Sequence, residues 1–342
     1  MSSESIHTSD KKELTIGVDI GGTNTVVGAI LRDGTFAFKS SFPTTGHKNV
    51  EEFIKRLIDS IDKIQTTIAK GSRMCGIGLA APAARHREGI IKDPANLQWG
   101  TVNLVEILKR QYGLPTAITN DSNAAALGEM KYGAGKGMRN FVVLTLGTGL
   151  GAGIVMDGRL LYGNNDVAGE LGHITLVAGG RQCGCLRRGC AETYVSASGL
   201  RRTAFELLAL ENDDSRMRDV SFNELSSKKI YDLAREGDDL AVKTFDVTGD
   251  YLGRLLANAV AAFDPETIIL SGGLSEAGDL LLHPTRKSFE ENVLGLHRGT
   301  VGIVKSTMKD GDAAILGASC LVMEDAAQSA LKESQHRLVT QL

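Results

Sequence analysis

LTIGVDIGGTNTVVGAILRDG, residues 14–34, sets the architecture of the chain. Two β-rich runs, LTIGVDI (14–20) and TVVGAIL (25–31), flank the turn GGTN, and Asp33-Gly34 leads into a third run, TFAFKSSF (35–42). An Asp-Gly pair between such runs marks a tight hairpin. The pattern returns at FVVLTLGTGLGAGIVMDG (141–158), with a strand, a GTGLG turn, a strand AGIVM and Asp157-Gly158 before RLLY. Asp33 follows Gly21 by twelve positions and Asp157 follows Gly147 by ten, so the chain reads as a duplicated fold.

Each copy continues in α/β fashion. After the first hairpins, Phe53, Ile54, Leu57, Ile58, Ile61, Ile64 and Ile68 recur on a helical period. Asn49 and Glu52 stand in capping-box spacing before them, and Gly71 is placed to stop the helix. Strand CGIGLA (75–80), a helix near 103–112, strand TAIT (116–119) and an Ala-rich helix from 122 follow. The second copy runs on through a long helix (240–263), strand TIILSG (267–272), a helix, strand VGIVKS (301–306) and a final helix near Asp312. A repeat of about 125 residues suits two similar domains facing each other across a cleft, not a solenoid. The expected division is 1–122 plus 312–342, and 123–311 carrying a metal loop at 168–199. Segment 211–239 reads as a solvated surface excursion, and Glu324–Leu342 as a terminal helix on the first domain.

With 42% hydrophobic and 23% charged residues and a formal net charge of −3, the chain has no general attraction for nucleic acid or acidic lipid. The first thirteen residues are polar and no stretch is apolar enough for a membrane span, so a cytoplasmic location is expected. Five cysteines make no disulfide framework; Cys75 and Cys320 sit in apolar runs and read as buried hydrophobes.

The chemistry gathers at four places. In Asp19-Ile20-Gly21-Gly22-Thr23-Asn24 a Gly-rich turn leaves backbone N–H groups free for a phosphate, Asp19 can hold Mg²⁺ through water, and Thr23 and Asn24 can add donors. The mirrored turn Gly147-Thr148-Gly149-Leu150-Gly151 can grip the same polyphosphate, and Gly272-Gly273 can pass backbone close to a purine. Neither turn is a Walker loop or a Rossmann fingerprint. Asp121, where strand TAIT meets a helix, reads as an N-cap or as a general base kept ionised by the helix dipole, two compatible roles. Finally, Cys183-x-Cys185-x4-Cys190 with His173 makes a closed N/S site suited to structural Zn²⁺, with Glu170 and Glu192 fixed beside it and Arg181, Arg187 and Arg188 offsetting its charge.

GVDIGGTN, ITNDSNAAALGE, LGTGLGAGI, AGELGH, CGCLRRGCAE, ETYVSASG, ILSGGL and GDAAILGA, in this order from about Leu14 to about Met323, resemble the ROK family of repressors, open reading frames and kinases, and within it the bacterial glucokinases. The resemblance implies an actin-like, ribonuclease-H-like ATPase fold that transfers the γ-phosphoryl of Mg-ATP to the 6-hydroxyl of a hexose. It implies Asp121 as base; Asn120, Asp121, Glu170, His173 and Glu192 on the sugar hydroxyls; Asn96 lining the same pocket; and a homodimer or homotetramer. Where many members carry Pro-Gly-Pro, this chain has Ala80-Ala81-Pro82-Ala83-Ala84-Arg85. That leaves N-acetylmannosamine, N-acetylglucosamine, fructose and allose open as acceptors beside glucose, and polyphosphate open as a donor. A sugar-sensing repressor is disfavoured because thirteen residues before Leu14 are too few for a helix-turn-helix, and a silent sugar-binding protein because the phosphoryl-transfer residues are kept.

Overall fold

The computed structural model describes residues 12–68, 72–94, 97, 99–309 and 311–323. The chain divides into two compact units, one running to Gly128 and resuming at Ala314, the other spanning Glu129–Ala313. The first crossing between them falls inside a helix, at 128/129.

The first unit contains β1 (Lys12–Ile20), β2 (Asn24–Leu31), β3 (Phe36–Pro43), α1 (Val50–Ile68), β4 (Ser72–Ala80), the short pair β5 (Ala84–Arg85) and β6 (Ile90–Ile91), α2 (Leu104–Tyr112), β7 (Thr116–Thr119) and the start of α3 (Asp121–Tyr132). Its sheet is ordered β3-β2-β1-β4-β7. The hairpins make β1, β2 and β3 antiparallel, whereas β4 and β7 run parallel to β1 after helical crossovers. The Asp33 carboxylate accepts from Thr35 N–H at 2.9 Å and closes the second hairpin. At α1, Asn49 Oδ1 accepts from Glu52 N–H at 3.0 Å, while the Glu52 carboxylate accepts from Lys48 N–H at 2.6 Å. Phe53, Leu57, Ile61 and Ile64 form the buried stripe of this helix, each stabilising by about 1.5–3 kcal/mol. The expected stop at Gly71 lies outside the described residues.

The second unit contains β8 (Phe141–Leu146), β9 (Leu150–Met156), β10 (Arg159–Leu160), α4 (Ala197–Leu210), α5 (Ser227–Arg235), α6 (Asp239–Phe263), β11 (Thr267–Ser271), α7 (Asp279–Asn292) and β12 (Gly302–Lys305). Its order, β10-β9-β8-β11-β12, repeats the first sheet strand for strand, antiparallel on one side of β8 and parallel on the other. Phe141 to Leu144 are fully buried, as a strand covered on both faces requires. The chain then returns to the first unit through a helix over 312–323, α8. α8 lies so close on β4 that a Cβ at Gly78 would stand 1.7 Å from the carbonyl oxygen of Ala318, a contact only glycine permits.

Two readings need correction. Segment 211–239 is not merely solvated: Met217 and Leu225, ahead of α5, are fully buried in the second core, and α5 is amphipathic and turns Ile230, Leu233 and Ala234 inward. Cys320 is buried as expected, but Cys75 is only half-buried. Glu324–Leu342 lie outside the described residues, among which no helix is long and apolar enough to cross a membrane.

Candidate functional site

In the first unit, β1 ends beside β2 and β4, with Asp19 paired to Val26 and Ala80 across the sheet. The following turn is tight: Gly21 N–H donates to the Asn24 carbonyl at 3.0 Å, and Thr44 N–H holds the Thr23 carbonyl at 2.8 Å. Gly22, Thr23 and Asn24 stand exposed. Burial, reinforced by the like charge of Asp121 and opposed by Lys39, pushes the Asp19 carboxyl up from 3.8 to about 7.

Asp121 opens α3, but it does not cap it. Asn120 does: its side-chain oxygen accepts from Ser122 N–H at 2.8 Å and its carbonyl from Ala124 N–H at 2.9 Å. The Asp121 carboxylate shares the Ser122 N–H, also at 2.8 Å. Asp121 is open to water by surface area yet stands deep among protein atoms. That combination raises its pKa by desolvation, against the Ser122 bonds, without sealing it from a ligand. The helix dipole expected to favour the anion is thus opposed by desolvation, the leading cause of the shift. Nearby in sequence, the buried oxygens Thr119 Oγ1 and Asn123 Oδ1 have no hydrogen-bond partner among the described residues. Asn96 lies outside those residues.

In the second unit, the turn Gly147–Gly151 joins β8 to β9, and the Gly272 turn follows the neighbouring parallel strand β11. A Cβ at Gly272 would stand 2.8 Å from the Leu146 backbone, so the two glycine turns abut; Gly273 beside it is exposed. Glu192 reaches this turn. Its Oε2 accepts from Leu150 N–H at 3.0 Å and would lie 2.4 Å from a Cβ at Gly149. Its other oxygen is 3.8 Å from Cys183 Sγ, so Glu192 joins the turn to the cysteine cluster.

His173, Cys183, Cys185 and Cys190 come together as the sequence suggested, with one donor atom from each within 4.8 Å of the others, a set that could hold a metal ion. Cys185 Sγ and Cys190 Sγ are 3.6 Å apart, and Cys183 Sγ is 3.7 Å from His173 Nδ1. The other ring nitrogen, Nε2, faces Glu170 at 3.9 Å, and Glu170 is otherwise exposed. Burial raises the Cys183 and Cys190 thiols, whereas a bond from Arg187 N–H and the guanidinium charge lower Cys185. Arg187 therefore does offset thiolate charge, and it also bonds the His173 carbonyl at 3.2 Å. Arg181 has another task. It lies over the Tyr194 ring at 4.4 Å, pairs with Glu206 and donates to the Thr193 carbonyl at 2.7 Å, fastening the loop to α4.

The residues that sequence reasoning missed are Ser196 and Ser198. Ser196 caps α4 by accepting from Gly199 N–H at 3.0 Å, and Ser198 Oγ donates to the Thr148 carbonyl at 2.7 Å. The run SASG ahead of an apolar helix was the available signal for the cap; nothing local signalled the reach of Ser198 to the turn.

Two sheets of one connectivity, each with a glycine turn after its first strand, define an actin-like ATPase of duplicated α/β units. The family model described as ROK family matches residues 15–325, and the chain belongs to the ROK family. A glucokinase from Halalkalibacterium halodurans is 36% identical over 313 residues, 90% of this chain and 94% of that protein. One from Thermotoga maritima is 34% identical, over 90% of this chain and 97% of that protein. A ROK family glucokinase from Streptomyces griseus, solved in complex with glucose and AMPPNP, superposes with a TM-score of 0.76 at 33% identity, over 91% of this chain and 99% of that one.

Proposed function

We propose that the protein is an ATP-dependent glucokinase that moves the γ-phosphoryl group of ATP to the 6-hydroxyl of glucose. The observation that carries this reading is the acidic pair in the first unit: Asp19 at a strand end beside an open glycine turn and Asp121 at the head of α3, each raised chiefly by desolvation, with the charge of Asp121 adding to the rise at Asp19. Two crowded carboxylates are costly to ionise unless a cation and a proton donor arrive, which Mg-ATP and a sugar hydroxyl supply. The full-length similarity to glucokinases supports glucose as the acceptor.

In the reaction, Asp121 accepts the proton of the 6-hydroxyl as that oxygen forms its bond to the γ-phosphorus and the bond from γ-phosphorus to the bridging oxygen breaks, releasing ADP. A raised pKa suits this, because a base nearer the working pH captures the proton with more driving force. Asp19 offers hard oxygen ligands for magnesium, in keeping with water-mediated coordination, and the ion when bound neutralises phosphate charge. Gly21, Gly22, Thr23 and Asn24 in one unit, and Gly147, Thr148, Gly149 and Gly151 in the other, offer backbone and side-chain donors to phosphates; Gly272 and Gly273 offer close backbone to the nucleoside. Asn96, Asn120, Glu170, His173 and Glu192 are assigned to the sugar, Glu192 with one oxygen already committed to Leu150 N–H.

His173, Cys183, Cys185 and Cys190 are assigned to a structural zinc ion. Two sulfurs held about 2.3 Å from a tetrahedral ion stand about 3.8 Å apart, and the 3.6 Å between Cys185 and Cys190 fits. Four protein donors would leave no position for a water, so these residues would use an ion to order the loop and not in the transfer. The expected assembly, a cytoplasmic homodimer or homotetramer, belongs to the same proposal.

The loop Ala80–Arg85, which departs from the family pattern and holds Ala83 at φ 54°, leaves a second reading open, transfer to an N-acetylhexosamine. A coupled ADP-release assay with glucose, mannose, fructose and the N-acetylhexosamines separates the two. ADP release fastest with glucose is expected; none with any hexose would refute both.

A further inference from the structure

The turn Gly147–Gly151 can receive an anion only if its carbonyls point one way and its N–H groups the other. In a trans peptide the C=O of one residue and the N–H of the next are antiparallel, so fixing a carbonyl aims the following amide. Both carbonyls at the tip are fixed from one side, by the start of α4. The Gly147 carbonyl accepts from Ala197 N–H at 2.9 Å, and the Thr148 carbonyl accepts from Ser198 Oγ at 2.7 Å. The third, Gly149 C=O, is satisfied inside the turn by Gly147 N–H at 3.0 Å, and Leu150 N–H is taken by Glu192. What remains are the N–H groups of Thr148 and Gly149, which have no hydrogen-bond partner among the described residues. Those two amides lie opposite the two carbonyls that α4 holds.

We infer that Ser198 is a positioning residue for the phosphoryl donor: its hydroxyl pins the Thr148 carbonyl and thereby aims the Gly149 N–H at a nucleotide phosphate. This rests on the turn being a phosphate cradle, as proposed above. Ser198 has one proton and two acceptors in reach, the Thr148 carbonyl at 2.7 Å and Ser196 Oγ at 3.0 Å. Ser196 directs its own proton to the Glu192 carbonyl at 2.7 Å, so it can accept from Ser198 or stand aside. The shorter contact with the carbonyl decides the arrangement. Without the hydroxyl, no bond among the described residues holds the Thr148 carbonyl, and the Thr148–Gly149 peptide gains freedom to rotate between its fixed neighbours. An aimed amide is then replaced by one that must be ordered on binding, a cost that falls on the nucleotide and not on the sugar.

The test is titration of the full chain with Mg-AMPPNP and, separately, with glucose, for the wild type, Ser198→Ala and Ser198→Thr. Ala is a good helix former at this second position of α4, so the fold is kept. Ser198→Ala is expected to weaken Mg-AMPPNP by about 3- to 10-fold, the loss of one ordinary hydrogen bond, with glucose affinity unchanged. Ser198→Thr, which keeps the hydroxyl, should restore most of it. The KM for ATP should rise in Ser198→Ala while kcat at saturation holds. Unchanged nucleotide affinity in Ser198→Ala, or equal loss of both ligands, would overturn the assignment of Ser198 alone. A wild type that binds no Mg-AMPPNP would overturn the phosphate cradle and this inference with it.

Discussion

Replacing Asp19 with Asn should make the first unit more stable while destroying activity. The Asp19 carboxyl is raised from 3.8 to about 7 in the folded protein, so the native state binds a proton more tightly than the unfolded chain does. Stability tied to this group is therefore greatest below about pH 4, falls as the pH climbs through the interval to about 7, and is flat above. At 1.36 kcal/mol for each pKa unit the ceiling is about 4 kcal/mol, and water reaching a half-buried side chain trims it to about 2–4 kcal/mol. Asn mimics the protonated acid and removes the pH dependence. The readout is specific, because the single tryptophan, Trp99, packs on Phe53 in the first unit with ring centroids 4.4 Å apart. Urea unfolding followed by Trp99 fluorescence should show wild type and Asp19→Asn alike at pH 4 and the variant more stable by about 2–4 kcal/mol at pH 8. Mg²⁺ at pH 8 should recover part of that difference in the wild type only. Equal stabilities at both pH values would refute the idea that the fold holds Asp19 against its own ionisation.

Further outcomes follow from the same geometry. Asp121→Asn should keep glucose affinity within a few-fold but lower kcat by about 10²–10⁴, checked by calorimetry and steady-state kinetics; near-normal turnover would remove Asp121 as the base. Gly149→Ala places a Cβ 2.4 Å from the Glu192 carboxylate, which must withdraw from Leu150 N–H. Losing that charge-assisted bond should cost about 1.5–3 kcal/mol in thermal unfolding and weaken AMPPNP about tenfold. Chelation should lower the melting temperature of the wild type and leave Cys190→Ser unaffected, its site being already broken. Because burial raises the Cys183 and Cys190 thiols, metal affinity measured by competition should increase from pH 6 to pH 8, as protons leave more readily.

What was legible in the sequence is what local chemistry determines. Glycine turns between β-rich runs and the Asp33-Gly34 and Asp157-Gly158 pairs located both hairpin sheets, and cysteine spacing located the cluster. The exact cap of α3 was not legible, since Asn120 and Asp121 are both good caps and only the backbone decides between them. Nor was the inward face of 211–239, whose charge obscures Met217, Leu225, Ile230, Leu233 and Ala234, all buried. The tie from Glu192 to Leu150 spans 42 residues and that from Ser198 to Thr148 spans 50. No pattern along the chain announces a bond at that separation, so a carboxylate that read as a sugar ligand proves also to brace the glycine turn between β8 and β9.

The identity of the product bears on the whole account. Incubation of the protein with ATP, Mg²⁺ and glucose, followed by proton-coupled phosphorus NMR, should show one sugar phosphate whose phosphorus couples to the two protons on C6, formed one for one with ADP. Phosphate on another carbon, or inorganic phosphate with no sugar ester, would contradict it.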